Sequence, residues 1–236
     1  EFNQLTSLDL TGLVNLQWLV CRNNLLSSLN PIAFTSLGHL DCGNNQITSL
    51  NANSFINLTK LYCNNNQLSN LNLSGLTHLI ELNCNTNQLT ALDVTQSTDI
   101  TDVYCNGNLI TTLNISGLSQ LKNLSCNNNQ LPTLNTSGLV NLQFLDCSSN
   151  NLTTLDVTGL NNLTTLYCIS NQLNTINLNG LSSLATVYCQ NNLFTSLDLS
   201  GLGLTSLYSL HCYNNNLTYL NVDGLNSLNQ LYCWDN

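Results

Sequence analysis

A cysteine that returns every 21 residues is the feature that most restricts what this chain can fold into. Nine cysteines follow one another at that spacing, the tenth comes after a step of 23 residues, and the eleventh after 21 more. A fixed period of about 20 to 50 residues indicates one supersecondary unit stacked on itself. The chain is therefore predicted to be a solenoid. Its cysteines are Cys21, Cys42, Cys63, Cys84, Cys105, Cys126, Cys147, Cys168, Cys189, Cys212 and Cys233.

The repeat is clearest in residues 163–183, which read LTTLYCISNQLNTINLNGLSS. With Leu163 as position 1, the pattern is L-x-x-L-x-C-x-x-N-x-L, followed by x-x-L-N/D-L-S/T-G-L-x-x. This pattern resembles the leucine-rich repeat, and in its second half a short 21-residue bacterial class, sometimes called IRREKO, that carries the same cysteine. The resemblance covers essentially the whole chain. It implies a right-handed coil with a parallel β-sheet on the concave face and short extended or turn segments on the back.

The apolar pattern predicts the same architecture without the family. Apolar residues at positions 4 and 6 alternate with polar residues at positions 3, 5 and 7, which is the period of a strand with one buried face. Further Leu, Val or Ile residues at positions 11, 14, 16 and 19 are expected to point inward. One coil alone buries too little apolar surface to offset the entropy cost of ordering it. Stacking covers the leucines from both sides and lets the backbones of neighbouring coils pair.

Position 6 points inward, so we predict buried free thiols there rather than disulfides or a zinc site. A disulfide ladder would need strict geometry at every step, the cysteine count is odd, and no C-x-x-C motif occurs. An asparagine recurs at position 9, where the chain leaves the strand and its amide can bond to neighbouring backbone. These structural asparagines are Asn24, Asn45, Asn66, Asn87, Asn108, Asn129, Asn150, Asn171, Asn192 and Asn215.

The unbroken period predicts one leucine-rich-repeat domain over residues 1–236, with about ten full repeats and incomplete repeats at both ends. Phe34 and Phe55 replace the leucine of position 19 in two coils, and Ser97 occupies that position in another. Two extra residues around Leu202 are predicted to form a bulge on the back. Because neither end shows a polar capping sequence, we expect the chain to be a fragment of a longer protein. The alternative is a self-assembling structural fibre made of end-to-end solenoids.

The charge balance excludes some partners. Three basic residues against twelve acidic ones give a net charge of −9, which argues against nucleic acid and anionic membranes as ligands. The sequence contains no apolar run long enough to span a bilayer, so membrane insertion is not predicted. A surface of low charge that is rich in Asn, Ser and Thr favours an extracellular or cell-surface location, in the style of a bacterial protein.

Outward positions 3, 5 and 7 of each strand are expected to form the binding surface. Tyrosine and tryptophan offer rigid area with a polar handle, as expected of a recognition site. The predicted ligand-binding residues are Trp18, Tyr62, Tyr104 and Phe144, together with the C-terminal aromatic cluster of Tyr167, Tyr188, His211, Tyr213, Tyr232 and Trp234. The structural alternative is that tyrosine only stabilises exposed strands.

The sequence thus predicts a non-enzymatic recognition or adhesion scaffold. The family resemblance implies a protein partner first. Stacked tyrosines beside Asn and Asp would also suit sugar rings, so a polysaccharide is the second ligand class.

The back of the solenoid offers a further alternative. Hydroxyls at positions 12 and 13, as in Thr111–Thr112 and Thr153–Thr154, form a regular array with Asn or Asp at position 15, which could bind ice or another crystal surface.

Signals for catalysis are weak. Ser209 and His211 share a face, but no carboxylate orients the histidine. No catalytic residue, cofactor or metal site is predicted.

Overall fold

The computed structural model of the chain describes residues 3–29, 34–52 and 55–236. In these ranges the regular elements are parallel β-strands of three residues each, and no helix occurs there. The chain divides into two compact units, Glu1–Leu118 and Ser119–Asn236, referred to as unit 1 and unit 2. Each unit is a parallel-strand solenoid, as predicted. That residues 1–236 form one domain stays a prediction.

Unit 1 has one strand per coil in its main sheet and a smaller pair on the back. Its strands are β1 (Trp18–Val20), β2 (His39–Asp41), β3 (Lys60–Tyr62), β4 (Glu81–Asn83), β5 (Ala91–Asp93), β6 (Asp102–Tyr104) and β7 (Thr112–Asn114). Strands β1, β2, β3, β4 and β6 pair in that order, and β5 pairs with β7. Each residue pairs with the one 21 positions later, for example Trp18 with His39, so equivalent positions line up.

Unit 2 repeats this arrangement. Its strands are β8 (Asn123–Ser125), β9 (Phe144–Asp146), β10 (Thr165–Tyr167), β11 (Thr186–Tyr188), β12 (Ser196–Asp198), β13 (Ser209–His211), β14 (Tyr219–Asn221) and β15 (Gln230–Tyr232). Thr186 of β11 pairs with Ser209 of β13, so the register is kept across the step of 23 residues. The two extra residues lie in the loop between β12 and β13, where the Leu202 carbonyl accepts a hydrogen bond from the Gly180 N–H. The predicted bulge is therefore confirmed.

The core follows the repeat pattern. The central residue of most main-sheet strands is fully buried, as for Leu61 and Leu166, because side chains alternate across a strand. Phe34 and Phe55 are buried in place of the leucine at position 19. Ser97 at that position is also fully buried, and its hydroxyl donates to the Leu76 carbonyl at 2.7 Å. The buried hydroxyl of Ser97 is therefore hydrogen-bonded within the core.

The cysteines are free thiols, as predicted, and ten of the eleven are buried. Burial raises the pKa of the Cys63 and Cys105 thiols to about 12, because a thiolate is poorly solvated in an apolar core. Cys233 departs from the prediction, since it is exposed. It follows β15, which pairs with β13 and whose central residue, Leu231, is also exposed.

The asparagine of position 9 connects neighbouring coils, as predicted. In Asn45 the side-chain Nδ2 donates to the carbonyls of Cys42, at 3.0 Å, and of Cys21 in the preceding coil, at 3.1 Å. Its Oδ1 accepts a hydrogen bond from the Leu26 N–H of the preceding coil at 3.0 Å. Most of these asparagines are buried, while Asn66 is half-buried with the same bonds. They are structural residues.

Two further positions shape the turns. The residue at position 8 has a left-handed backbone in every coil from Asn23 to Asp235, including Thr86 with φ of 54°. The side chain at position 15 caps the turn that follows the back segment. In Asp93, for example, Oδ1 accepts hydrogen bonds from the hydroxyl and the N–H of Thr95, and these bonds lower the pKa of the Asp93 carboxyl.

Candidate functional site

The outward face of the unit 2 sheet gathers the C-terminal aromatic cluster. Tyr167, Tyr188, His211 and Tyr232 are the last residues of β10, β11, β13 and β15, which pair in register. Parallel strands lie about 4.8 Å apart, so side chains at equivalent positions come into ring contact. Tyr213 and Trp234 follow two residues after His211 and Tyr232 and form a second row on the same face. The structure thus brings together all six residues of the predicted cluster.

The rings of this cluster stack on one another. Tyr167 and Tyr188 have ring centroids 4.7 Å apart with planes at 17°, and Tyr188 and His211 are 3.9 Å apart at 18°. Tyr213 and Trp234 stack at 4.2 Å and 7°, while the rings of His211 and Tyr232 lie 4.3 Å apart in a tilted arrangement. Phe144 extends the array, with its ring edge-on to that of Tyr167 at 5.6 Å.

Stacking determines which parts of the rings a ligand can contact. Because the faces of Tyr167, Tyr188 and His211 cover one another, these three residues present ring edges and the tyrosine hydroxyls. Tyr232 and Trp234 are more accessible, with 38% and 49% of their surface exposed. Burial lowers the pKa of His211, which keeps its imidazole neutral near pH 7. The result is a neutral surface of rigid rings that also carries hydrogen-bonding groups.

The outward face of unit 1 differs in chemistry. Trp18 stacks on His39, with ring centroids 4.1 Å apart, and His39 meets Tyr62 edge-on at 5.3 Å. The hydroxyl of Tyr104 donates to Asp102 at 3.3 Å instead of joining a stack. Of the predicted residues of unit 1, Trp18 and Tyr62 are therefore joined through His39, and Tyr104 bonds to Asp102 instead.

Charged side chains occupy the rest of this face. Arg22 lies 3.5 Å from Asp41, and the Lys60 ammonium lies 2.9 Å from Glu81. Arg22, Asp41 and Glu81, together with Tyr62, line a polar cavity of about 340 Å³. Burial, followed by a hydrogen bond to Glu81, raises the pKa of Tyr62 to about 12, so its hydroxyl stays protonated and able to donate.

Sequence reasoning missed this cavity. The sequence feature that could have indicated it is Gly43, which lies at outward position 7, where the next two coils have Asn64 and Asn85. A single glycine among asparagines was not distinguished from ordinary variation in the repeat.

Comparison with known proteins adds the family. The family profile described as "Leucine Rich repeats (2 copies)" matches residues 14–54. The comparison with curated protein sequences gave no match. Among solved structures, a leucine-rich repeat protein of Leptospira interrogans has 26% sequence identity over 93% of this chain, with a TM-score of 0.84. The functional domain of InlJ from Listeria monocytogenes, described as including a cysteine ladder, has 28% identity over 95% of this chain and a TM-score of 0.67.

Residues 14–54 thus match the leucine-rich repeat family, and the described residues have the fold of leucine-rich repeat proteins. The chain spans 61% of the length of the Leptospira chain and 65% of the InlJ chain, which is less than two thirds of either. The fold is also that of the LRIM1/APL1C complex, with a TM-score of 0.83 at 22% identity, over 97% of this chain and 46% of that one. The predicted family and fold are both confirmed.

Outside the outward face of the sheets, the described residues offer fewer groups for binding a ligand. On the back, the Thr111 and Thr218 hydroxyls donate to the carbonyls of Thr90 and Thr195 in the preceding coils, at 3.3 and 3.2 Å, so part of the hydroxyl array is engaged internally. Among the described residues no cluster of three or more His, Cys, Asp or Glu side chains could hold a metal ion. The same residues include no helix that is both long and apolar enough to cross a membrane. Ice binding and end-to-end assembly stay predictions.

Proposed function

We propose that this protein is a non-enzymatic recognition or adhesion scaffold, secreted or at the cell surface, whose concave face binds a protein partner through the C-terminal aromatic cluster. The observation that carries the proposal is the two rows of stacked rings on the outward face of unit 2. Side chains that are already stacked lose little conformational freedom on binding, so they are suitable anchors for an interface. The likeness to the LRIM1/APL1C complex supports a protein as partner.

The geometry of the row formed by Tyr167, Tyr188 and His211 favours a protein over a polysaccharide at these three rings. A sugar ring packs on the free face of an aromatic side chain, whereas the faces of Tyr167, Tyr188 and His211 are covered by one another. A protein can use ring edges for apolar contact and tyrosine hydroxyls for hydrogen bonds. The structural alternative, that the rings only stabilise the sheet, accounts for about 0.5–1.5 kcal/mol per pair and makes no prediction about binding.

The test is an array of secreted and surface proteins and of glycans, probed with the wild-type chain and with the double variant Tyr167→Ala/Tyr188→Ala. We expect a protein ligand whose binding is weakened by about 30-fold or more in the double variant, the scale of an interface hot spot. Tyr219→Ala is the matched control, because Tyr219 is 52% exposed on back strand β14 and lies outside the cluster.

Circular dichroism and thermal unfolding of all three proteins separate loss of a contact from loss of the fold. Equal binding by the wild type and by a folded double variant would remove the cluster from the interface. Equal weakening in the Tyr219→Ala control would show that the double variant acts through stability.

A further inference from the structure

The polar cavity of unit 1 is a second concave feature, separate in its residues from the C-terminal aromatic cluster. It lies on the outward face of β2, β3 and β4 and has a volume of about 340 Å³, at the lower end of the range of small-ligand sites. It is lined by Arg22, Asp41, Gly43, Asn44, Tyr62, Asn64, Glu81 and Asn83. A site of this size accommodates one small group rather than a protein surface.

The missing side chain of Gly43 lets two polar groups of the cavity wall come close to its backbone. A Cβ built on Gly43 would lie 2.8 Å from Oδ1 of Asn64 and 3.3 Å from Oδ1 of Asp41, so a side chain there would displace both groups. The backbone of Gly43 does not require glycine, because its φ is not positive. The present positions of the Asn64 amide and the Asp41 carboxylate in the cavity wall therefore depend on glycine at this position.

The charges around the cavity are balanced in pairs. Arg22 faces Asp41 at 3.5 Å, and Lys60 faces Glu81 at 2.9 Å. Asp41 also accepts a hydrogen bond from the Gly43 N–H at 3.1 Å. A cation would have to displace Arg22 or Lys60 from its carboxylate partner. An anion would be repelled by the carboxylates of Asp41 and Glu81. The balance therefore disfavours a charged ligand of either sign.

The same groups suit a ligand with many hydroxyls. The carboxylates of Asp41 and Glu81 accept hydrogen bonds, the Arg22 guanidinium donates them, and the Asn64 amide does both. Hydrogen bonds between hydroxyls and ionised groups are stronger than those between neutral groups. The rings of Tyr62 and His39 meet edge-on, so Tyr62 is not paired face to face with His39 in the way that Tyr167 is paired with Tyr188. We propose that this cavity is a subsite for a neutral saccharide ring.

The proposal does not rest on the function proposed for unit 2, so the two can fail separately. The probes are methyl glycosides of galactose, mannose, fucose and N-acetylglucosamine, each titrated into isotope-labelled protein and followed by amide NMR. We expect at least one of them to shift the Gly43 amide and the side-chain amide of Asn64, with a dissociation constant on the order of 1 mM.

Gly43→Asn is the decisive variant, because it restores the side chain found at position 7 of the next two coils and displaces Asn64 and Asp41 from the cavity wall. It should weaken binding of the glycoside tenfold or more. Gly38→Ala is the matched control in the same coil, since a Cβ at Gly38 meets only the Gln17 carbonyl oxygen, at an ordinary 3.7 Å. That variant should bind like the wild type. Gly43→Ala provides a smaller obstruction if Gly43→Asn fails to fold.

Three outcomes would overturn the proposal. The first is that none of the four glycosides shifts these amides at concentrations up to about 20 mM, far above millimolar affinity. The second is that a glycoside binds wild type and a folded Gly43→Asn variant equally. The third is that sialylated or sulfated saccharides, or peptides, bind at these residues while the neutral glycosides do not.

Discussion

At the scale of single residues, the asparagine of position 9 does the most to join one coil to the next. Asn150 donates to the carbonyls of Cys147 and Ser148 in its own coil and of Cys126 in the preceding one, at 3.0 to 3.2 Å. Its Oδ1 accepts from the Leu131 N–H at 3.0 Å. One side chain thus serves three acceptors and one donor of the buried backbone, a combination that only a carboxamide of this length supplies.

Replacing this amide by a carboxylate should therefore be costly. Asn150→Asp keeps the acceptor but removes every donor and points a negative charge at three carbonyl oxygens. We expect the free energy of unfolding at neutral pH to fall by about 3 kcal/mol or more, the cost of leaving several buried polar groups without partners. Chemical denaturation followed by circular dichroism measures the change.

The neighbouring residue provides the control. Asn151→Asp introduces the same charge one residue further on, where the side chain is exposed, and should change stability by no more than about 0.5 kcal/mol. A loss in Asn150→Asp no larger than that in Asn151→Asp would show that the recurring asparagine is not structural.

At the scale of elements, each main-sheet strand ends in a turn that needs a left-handed residue at position 8. Asparagine occupies it at Asn23, Asn44 and Asn65, and asparagine tolerates this backbone better than most residues. Thr86 has φ of 54° in the same turn, although its branched side chain makes that conformation strained. The repeat holds this residue in place because the strand before it and the asparagine after it are both fixed.

Relieving this strain should stabilise the protein. Thr86→Asn is expected to raise the free energy of unfolding by about 1 kcal/mol, since it replaces a branched residue by one suited to the left-handed region. The reciprocal change Asn65→Thr, at a φ of 53° one coil earlier, should lower it by a similar amount. Thermal unfolding of the two variants measures both effects. Shifts of the same sign would contradict the backbone explanation.

The elements also show what a sequence pattern can and cannot predict. Strands, inward leucines and the stacking order followed from the alternation of positions 3 to 7 and the 21-residue period, because burial imposes both. The need for a left-handed residue at position 8 was hidden, because residues as different as Asn44, Thr86 and Ser149 occupy it. The aromatic cluster was predictable because register alone brings Tyr167 beside Tyr188. The cavity at Gly43 depends on how side chains from three coils pack, which periodicity does not encode.

At the scale of the whole molecule, both units present cysteines on one side of the sheet and variable polar or aromatic residues on the other. Both proposed binding sites require this assignment of inward and outward positions. If the inward and outward positions were exchanged, Cys147 and Cys168 would face solvent, and Tyr167 between them would lie in the core. The accessibility of the thiols therefore tests the whole arrangement at once.

We expect a bulky aromatic disulfide reagent to modify one thiol per native chain, that of Cys233, and all eleven after unfolding, because ten thiols are buried and one is exposed. Raising the pH to about 9, above the usual thiol pKa of about 8.5, should not change the native count. Burial raises the pKa of Cys63, Cys105 and Cys212 to about 12, so their reactive thiolates stay scarce even where the reagent could reach them.

Cys233→Ser is the control, and it should leave no reactive thiol in the native state and ten in the unfolded state. Rapid modification of several thiols in native protein would mean that position 6 faces solvent. The outward residues Tyr167, Tyr188 and Gly43 would then belong to the interior, since successive side chains of a strand point to opposite faces. Because the aromatic cluster and the polar cavity both lie at odd-numbered outward positions, a single thiol count decides whether either can meet a ligand.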